Sequence, residues 1–485
     1  MSFVSRTLHL RRQGQGDQSS GGASPAAQRL GTFAALNFRN FQLFWWGQVI
    51  SVTGTFMQST AQQWLVLTLS PGNPLALGIT GALQFGPSLV LGPFAGTIID
   101  RYPRRNILIV TQISSGILAA ILWLLTFSGI VQLWNVYLLA TLLGLVTAID
   151  NPTRQAFVSE MVPTSHLLNA ISLNSVQFNV ARIVGPAVAG TLIALLGIPL
   201  MFLFNALSFI AVLVGLWMMR PADLYITPRR ANASSGVRAI SEGVRFIWAN
   251  RDVRITFLLI TVVGTLGFNF NVLLPLLAKE TLHAGSQEFG LLTSALGAGA
   301  LAGALFLARR GGKPTHFIMA GTAALFGLME TLSGQSRSLI VTLLFVAATG
   351  VMMSIFSASA NTTVQLSAPP EMRGRVMSVY TTIFIGSTPI GNLATSSIAA
   401  AFSVPASFAF TGLPCVAAAG VTAWLWRRER LAHTPSTAVA ADRAQVALSA
   451  TAETRLSSGT VPESPPSASS IRHRPAAASD DMGNE

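Results

Sequence analysis

Twelve apolar segments, each long enough to cross a bilayer, recur along this 485-residue chain and rule out most soluble folds. They lie near 40–69, 75–99, 106–129, 131–153, 167–196 and 198–219, then near 253–278, 286–308, 315–333, 338–366, 372–401 and 404–426. A spanning helix needs roughly 20 residues of mainly apolar character. Lipid offers no partner for unpaired backbone groups, so each segment is expected to be helical. Only 10% of residues are charged, far below the roughly one quarter of a soluble domain. The expected class is an all-α membrane protein: twelve transmembrane helices in two six-helix, pseudo-symmetric halves, embedded in the lipid bilayer.

The basic residues fix an orientation. Of 31 Lys and Arg, 29 are Arg. Numbering the spans 1 to 12, 28 of the 31 fall in the tails and in alternate connections, which places them on one side. Lys279 and Arg337 fall on the other side, and Arg182 lies inside span 5. Positive loops stay in the cytoplasm, so both termini are expected there. The net charge of +13 is thus a topology signal, and no nucleic-acid partner is expected.

This pattern divides the chain into five parts. Residues 1–36 read as a disordered cytoplasmic tail, 37–219 as an N-terminal six-helix half and 220–252 as a cytoplasmic linker with Pro221, Pro228, Arg229 and Arg230. Residues 253–428 read as the C-terminal half, and 429–485, rich in Ala, Ser, Thr and Pro, as a second disordered tail. Asn151-Pro-Thr-Arg154-Gln155 in span 4 echoes Asn361-Thr-Thr-Val-Gln365 in span 10, as a repeat of halves requires. Repeated halves place a substrate site at their interface near the midplane.

Three constellations carry chemistry. The connection between spans 2 and 3 reads G-x-x-x-D-R-x-x-R-R, with Gly96, Asp100, Arg101, Arg104 and Arg105. Asp100 is suited to accept from a helix N-terminus in the other half. The arginines are suited to pair with acids at neighbouring inner ends, Asp150 first among them. Such contacts would close the cytoplasmic side and break on opening; the alternative is a plain positive-inside anchor. The equivalent connection in the second half keeps Arg309 and Arg310 but has Leu307 in the place of the acid.

Span 5 contains Gly185-Pro186 and Gly190. Proline there removes a helix hydrogen bond and permits a bend. The small residues allow close approach of another helix, with Gly299 and Gly303 of span 8 as the expected partner surface; ordinary tight packing is the alternative. Ser172, Ser175, Asn179 and Arg182 share one stripe of the same helix. Arg182 is expected to face a water-filled cavity or a polar network. Span 1 has a stripe of its own: Gln48, Ser51, Thr55, Gln58 and Gln62. That stripe fits either a wet pore wall or interhelical hydrogen bonding. Thr265 and Asn269 in span 7 and Asn361 in span 10 complete the expected lining. No acid occupies the middle of a span. Glu330 is expected to face the interface near the outer end of span 9.

Enzyme motifs are missing. There is no phosphate loop of the G-x-x-x-x-G-K-[ST] type, no H-E-x-x-H and no G-x-S-x-G. Cys415 is the lone cysteine, and the six histidines never reach ligand spacing. No metal, cofactor or cleaved secretory signal is expected.

The pattern resembles the major facilitator superfamily of secondary transporters across residues 37–428. Besides the Asp100 loop, the residues that carry the likeness are Asn37-Phe-Arg39-Asn-Phe41, Asp150-Asn-Pro-Thr-Arg154, Asn169-Ala170, Arg182-Ile-Val-Gly185-Pro186 and Arg373-Gly-Arg375-Val376. The closest likeness is to an exporter branch with enterobactin-exporter-like and macrolide-efflux-like members. The resemblance implies alternating access in a bacterial inner membrane and a small-molecule substrate. It makes Arg373 and Arg375 the partner region of Asp100. The Gly185-Pro186 stretch is similar to the antiporter motif, with Ala189 replacing one glycine. The expected function is proton-driven efflux of a small amphipathic organic compound: a drug, siderophore or metabolite. Alternatives are an importer or lysophospholipid flippase of the same fold, or a non-transporting sensor or scaffold.

Overall fold

A computed structural model describes residues 31–225, 236–311 and 315–433, all helices and connections. Residues 1–30 of the tail assigned to 1–36, residues 434–485 of the tail assigned to 429–485, and Pro228 to Arg230 of the linker lie outside the described residues. The N-terminal group is α1 (Arg39–Leu69), α2 (Leu75–Arg101), α3 (Arg104–Phe127), α4 (Leu133–Met161), α5 (Leu167–Leu196) and α6 (Pro199–Met218). A linker helix, α7 (Gly236–Ala249), follows. The C-terminal group is α8 (Arg251–Val262), α9 (Phe270–Leu276), α10 (Ser286–Arg310), α11 (His316–Gln335), α12 (Leu339–Ser367), α13 (Pro370–Gly386), α14 (Thr388–Ala401) and α15 (Val404–His433).

Local chemistry sets the helix ends. The Gln132 N–H donates to Asn135 Oδ1 at 2.8 Å and the Gly285 N–H to Glu288 Oε2 at 2.9 Å, which satisfies an orphan donor at the starts of α4 and α10. Gly197 (φ 85°) and Gly311 (φ 60°) end α5 and α10 in a backbone region that L side chains avoid. Along α3, Val110, Ile117 and Leu124 are exposed at steps of seven residues, two helix turns, an apolar stripe that suits lipid rather than water.

Among the described residues, ten stretches are long and apolar enough to cross a membrane by length and composition. The two other expected spans differ for identifiable reasons. The glutamines, serines and threonines of α1 dilute its apolar content. Span 11 is two helices, α13 and α14, parted at Ser387. Pro389, near the start of α14, has no N–H to continue the ladder and its ring crowds the preceding turn. Span 7 is also irregular: α8 and α9 are each followed by a π-helical turn, Val263–Gly267 and Leu277–Thr281.

Three boundaries shift. Helix α15 runs to His433, past the start of the expected C-terminal tail at 429. The expected N-terminal tail includes an ordered 3-10 turn, Ala34–Asn37, whose Ala35 is buried. The linker contains α7, whose Gly243 packs on the Arg375 backbone and Val379 of α13.

Within the N-terminal group α1 packs on α5 and α6, α3 on α4 and α6, and α2 on α4. Within the C-terminal group α12 packs on α10 and α11. The groups meet chiefly at two crossings, α5 with α10 and α2 with α14. Glycines make both close. A Cβ on Gly190 would lie 2.5 Å from Ser286 O, and one on Gly81 would strike the Asn392 amide. The small-residue surface of α5 meets Gly290 and Gly297 of α10, not Gly299 and Gly303. Those two glycines instead admit Ala347 and Val351 of α12.

Candidate functional site: a cavity between the helix groups

A cavity of about 360 Å³ lies where α1, α5, the span-7 helices, α10, α12 and α13 converge. The N-terminal group contributes Phe56, Ser59, Thr60, Gln63, Arg182 and Pro186. The C-terminal group contributes Phe268, Phe270, Asn271 and Phe384, together with Leu274, Thr293, Leu296, Met353 and Ser357. Edge-to-face pairs fix the rings: Phe56 with Phe178 at 5.4 Å and Phe268 with Phe384 at 5.1 Å. The wall is thus aromatic, with amides, hydroxyls and one guanidinium.

Of the side chains expected to line this cavity, Arg182 does. A charge at the centre of a span costs roughly 2.5–3.5 kcal/mol on insertion scales, so its position in a cavity is physically reasonable. The span-1 stripe takes the other option open to it. Gln58 Oε1 accepts from Asn205 Nδ2 at 2.6 Å, Gln62 Nε2 reaches Gln84 Oε1 at 3.4 Å, and Gln48 Oε1 accepts from Arg154 at 3.1 Å. Ser51 is buried beside them, while Thr55 is exposed and donates to the Ser51 carbonyl. These residues hold helices of the N-terminal group together. The cavity face of α1 is the adjacent one, about 100° around the helix. Asn179 is half-buried and donates to Ser175 O. Asn269 is buried and donates to Thr265 O at 2.9 Å, close against Gly391. Asn361 accepts from Gln365 Nε2. Gly185 sits against α1, and Pro186 lines the cavity within a continuous α5.

The expected gate residues cluster at the arginine-rich end of the molecule. Gly96 and Asp100 are exposed near the end of α2, and Arg101 lies 5.8 Å from the Tyr102 ring. Asp150 is 3% exposed and accepts from Thr111 at 2.6 Å, Gln112 at 2.9 Å and Arg154 at 2.7 Å. Its cationic partner is therefore Arg154 in its own helix, one turn on, rather than a loop arginine. Arg104 pairs with Glu160 at 2.9 Å and donates to Ala156 O at 3.0 Å. Arg105 donates to Leu216 O at 2.8 Å. Arg373 donates to Gln365 O at 3.1 Å, and Arg375 pairs with Glu242 of α7 at 2.9 Å.

Sequence reasoning missed Glu160 and Glu242. Glu160 is the acid nearest the C-terminal end of α4, but its place in the sequence does not say which arginine it meets. Glu242 lay in a segment read as linker. Glu330 is a correction: it is fully buried, not at the interface, and accepts from Thr411 of α15 at 2.9 Å. Two asparagines of the family pattern are clamps. Asn169 joins α5 to residues 32–35 through Ala35 N–H and Thr32 O, and Asn40 exchanges two hydrogen bonds with the Arg220 backbone.

At the opposite end the groups are bonded to each other. Lys279 Nζ donates to Leu67 O at 2.6 Å, and Ser286 Oγ to Gly190 O at 3.1 Å. Trp64 stacks on Phe289 with centroids 5.8 Å apart. Nearer the cavity, Ser294 Oγ donates to Ile183 O at 2.7 Å and Gln63 Nε2 to Asn271 Oδ1 at 3.4 Å.

An all-helical bundle of two groups around a central cavity defines a carrier of the major facilitator type, a multi-pass membrane protein and not an enzyme. The chain belongs to the transmembrane secretion effector family of that superfamily, whose model matches residues 30–454. It is 28% identical to the staphyloferrin A transporter of Staphylococcus aureus, over 78% of this chain and 94% of that one. It is 23% identical to macrolide efflux protein A of Streptococcus pyogenes, over 78% and 94%. Among solved structures, a bacterial homologue of the lysosomal transporter Spinster, inward-facing and occupied, shares the fold. Its TM-score is 0.62 at 15% identity, covering 80% of this chain and 97% of that one.

Proposed function

We propose that this chain is a proton-driven exporter of a small amphipathic organic compound, working by alternating access in a bacterial cell membrane. Both termini and the arginine-rich connections face the cytoplasm, and twelve spans divide into halves 37–219 and 253–428 joined by the linker. The relatives' roles in siderophore transport and macrolide efflux support transport with an outward direction. The observation that carries the reading is the aromatic and polar cavity framed by both groups. Cross-group contacts at one end and group-internal ion pairs at the other suit a state closed outside and open inside.

Closing the inner side then brings Asp100, Arg101, Arg104, Arg105, Asp150, Arg154, Arg373 and Arg375 against the other half. The Gly185-Pro186 and Gly190 stretch is the pivot. The cavity's described wall has no acid, so proton coupling falls to Asp150, to Glu330 or to a carboxylate on the substrate.

Export is tested by expressing the chain in an efflux-deficient bacterium and following accumulation of drugs, dyes and ferric chelators with and without an uncoupler. Lower accumulation that the uncoupler reverses is the expected result. Accumulation equal to the empty-vector control across the panel contradicts proton-driven efflux.

A further inference from the structure

We infer that the cavity selects an organic anion, an acidic group joined to an apolar or aromatic body, and that Arg182 binds the anionic group. The inference rests on the exporter reading and narrows its substrate. Arg182 is the one charged side chain among the described residues that line the cavity. No hydrogen bond or ion pair to its guanidinium is found among the described residues. A guanidinium cannot shed its charge at working pH, so it must be matched by water or by a ligand.

The rest of the wall matches the other end of such a molecule. Phe268, Phe270 and Phe384 line the cavity from the C-terminal group, whereas Arg182 enters it from α5 of the N-terminal group. Gln63 and Asn271 already bond to each other at 3.4 Å. An acid bound with its anionic group on α5 and its body on the phenylalanines would touch both groups at once, which is what a transported ligand must do to bias the two-group equilibrium.

The same geometry disfavours cations. An amine in this cavity would meet a second positive charge with no described acid to offset it. Carboxylate and phosphate share the chemistry that a guanidinium fork recognises, so a soluble acid and a lysophospholipid headgroup are both possible sources.

The test uses the full-length chain purified in detergent and four probes: 2-naphthylacetate, its neutral amide, 2-naphthylethylamine and lysophosphatidylglycerol below its micellar concentration. Affinity is read by calorimetry and by thermal shift. At least one of the two anions is expected to bind about tenfold more tightly than the amide and the amine. Which anion does so identifies the source. Arg182→Gln should abolish that preference, whereas Arg182→Lys, which keeps the charge, should retain most of it. The probe series on the unaltered protein decides the matter even if Arg182→Gln does not fold. An amide or amine that binds as well as both anions overturns the inference. So does binding by none of the four, or a preference that survives Arg182→Gln. Uncoupler-sensitive export with no anion preference would sink this inference and leave the exporter reading standing. Anion binding without export would do the reverse.

Discussion

The two ends of the molecule are held by different forces. At the end that holds Leu67 and Lys279, the groups touch through glycines, a stacked Trp64–Phe289 pair and hydrogen bonds to backbone carbonyls. At the arginine-rich end, charge is abundant, but the strong pairs are local: Arg154 with Asp150 inside α4, Arg104 with Glu160 between α3 and α4, and Arg375 with Glu242 of α7. Close apolar packing forms one tight interface and is lost wholesale when it parts. Ion pairs at a wet surface are individually weak and can be exchanged one at a time. A carrier that must open one end while sealing the other is well served by both.

The packed end should be the more fragile to substitution. Gly290→Val places two methyls where Gly190 and the Pro186 carbonyl already sit. It should destabilise the protein by about 2–3 kcal/mol, read as a sharp drop in melting temperature or in monodisperse yield. A variant that melts with the unaltered protein would erase the distinction between the ends.

The next effect belongs to Asp150→Ala. It removes the carboxylate that accepts from Arg154, Thr111 and Gln112, and should cost about 3 kcal/mol, the low end for a broken buried pair because Arg154 is partly exposed and keeps its bond to Gln48. Asp150→Asn should retain part of that, since the amide still accepts from Thr111 and Gln112. Equal melting of the two variants would show that charge, not hydrogen bonding, dominates there.

A smaller effect, on rate rather than folding, is expected for Asp100→Asn. It should melt normally and slow export about tenfold, a coupling of about 1.4 kcal/mol between the halves. Normal turnover would reduce the loop to a topology anchor. The smallest effect is expected for the Glu242–Arg375 pair, about 0.2–1 kcal/mol. Glu242→Arg and Arg375→Glu should each impair transport slightly, and the double exchange should restore it. Failure of the double variant would mean that α7 is held by the Gly243 contact with α13, not by charge.

Much of the fold was legible because lipid imposes a coarse rule. Apolar length marked the segments that become helices. The rule fails where shape matters: the break at Ser387 and the π turns after α8 and α9 leave composition nearly unchanged. The site was less legible. Polarity on a helix face marks both a wet wall and a dry network. On α1 the richer stripe, Gln48 to Gln62, proved to be the network, and the cavity face mixes Phe56 with Ser59, Thr60 and Gln63. Arg182 was legible because a charge inside a span has few tolerable surroundings. Pairings at the arginine-rich end were not, because one-dimensional order does not say which of Asp150 and Glu160 an arginine reaches.

The central claim is that the two helix groups rock about the shared cavity. It is tested most directly by pulsed electron–electron distance measurements on spin labels at two pairs of exposed sites, with Cys415 replaced by Ala. One pair, Asn151 with Gln365, reports the arginine-rich end, and the other, Thr68 with Glu280, reports the opposite end. Under conditions that shift the equilibrium, whether a bound ligand or a change of pH, the first distance should shorten as the second lengthens. Two distances that stay fixed, or that move in the same direction, would contradict the account.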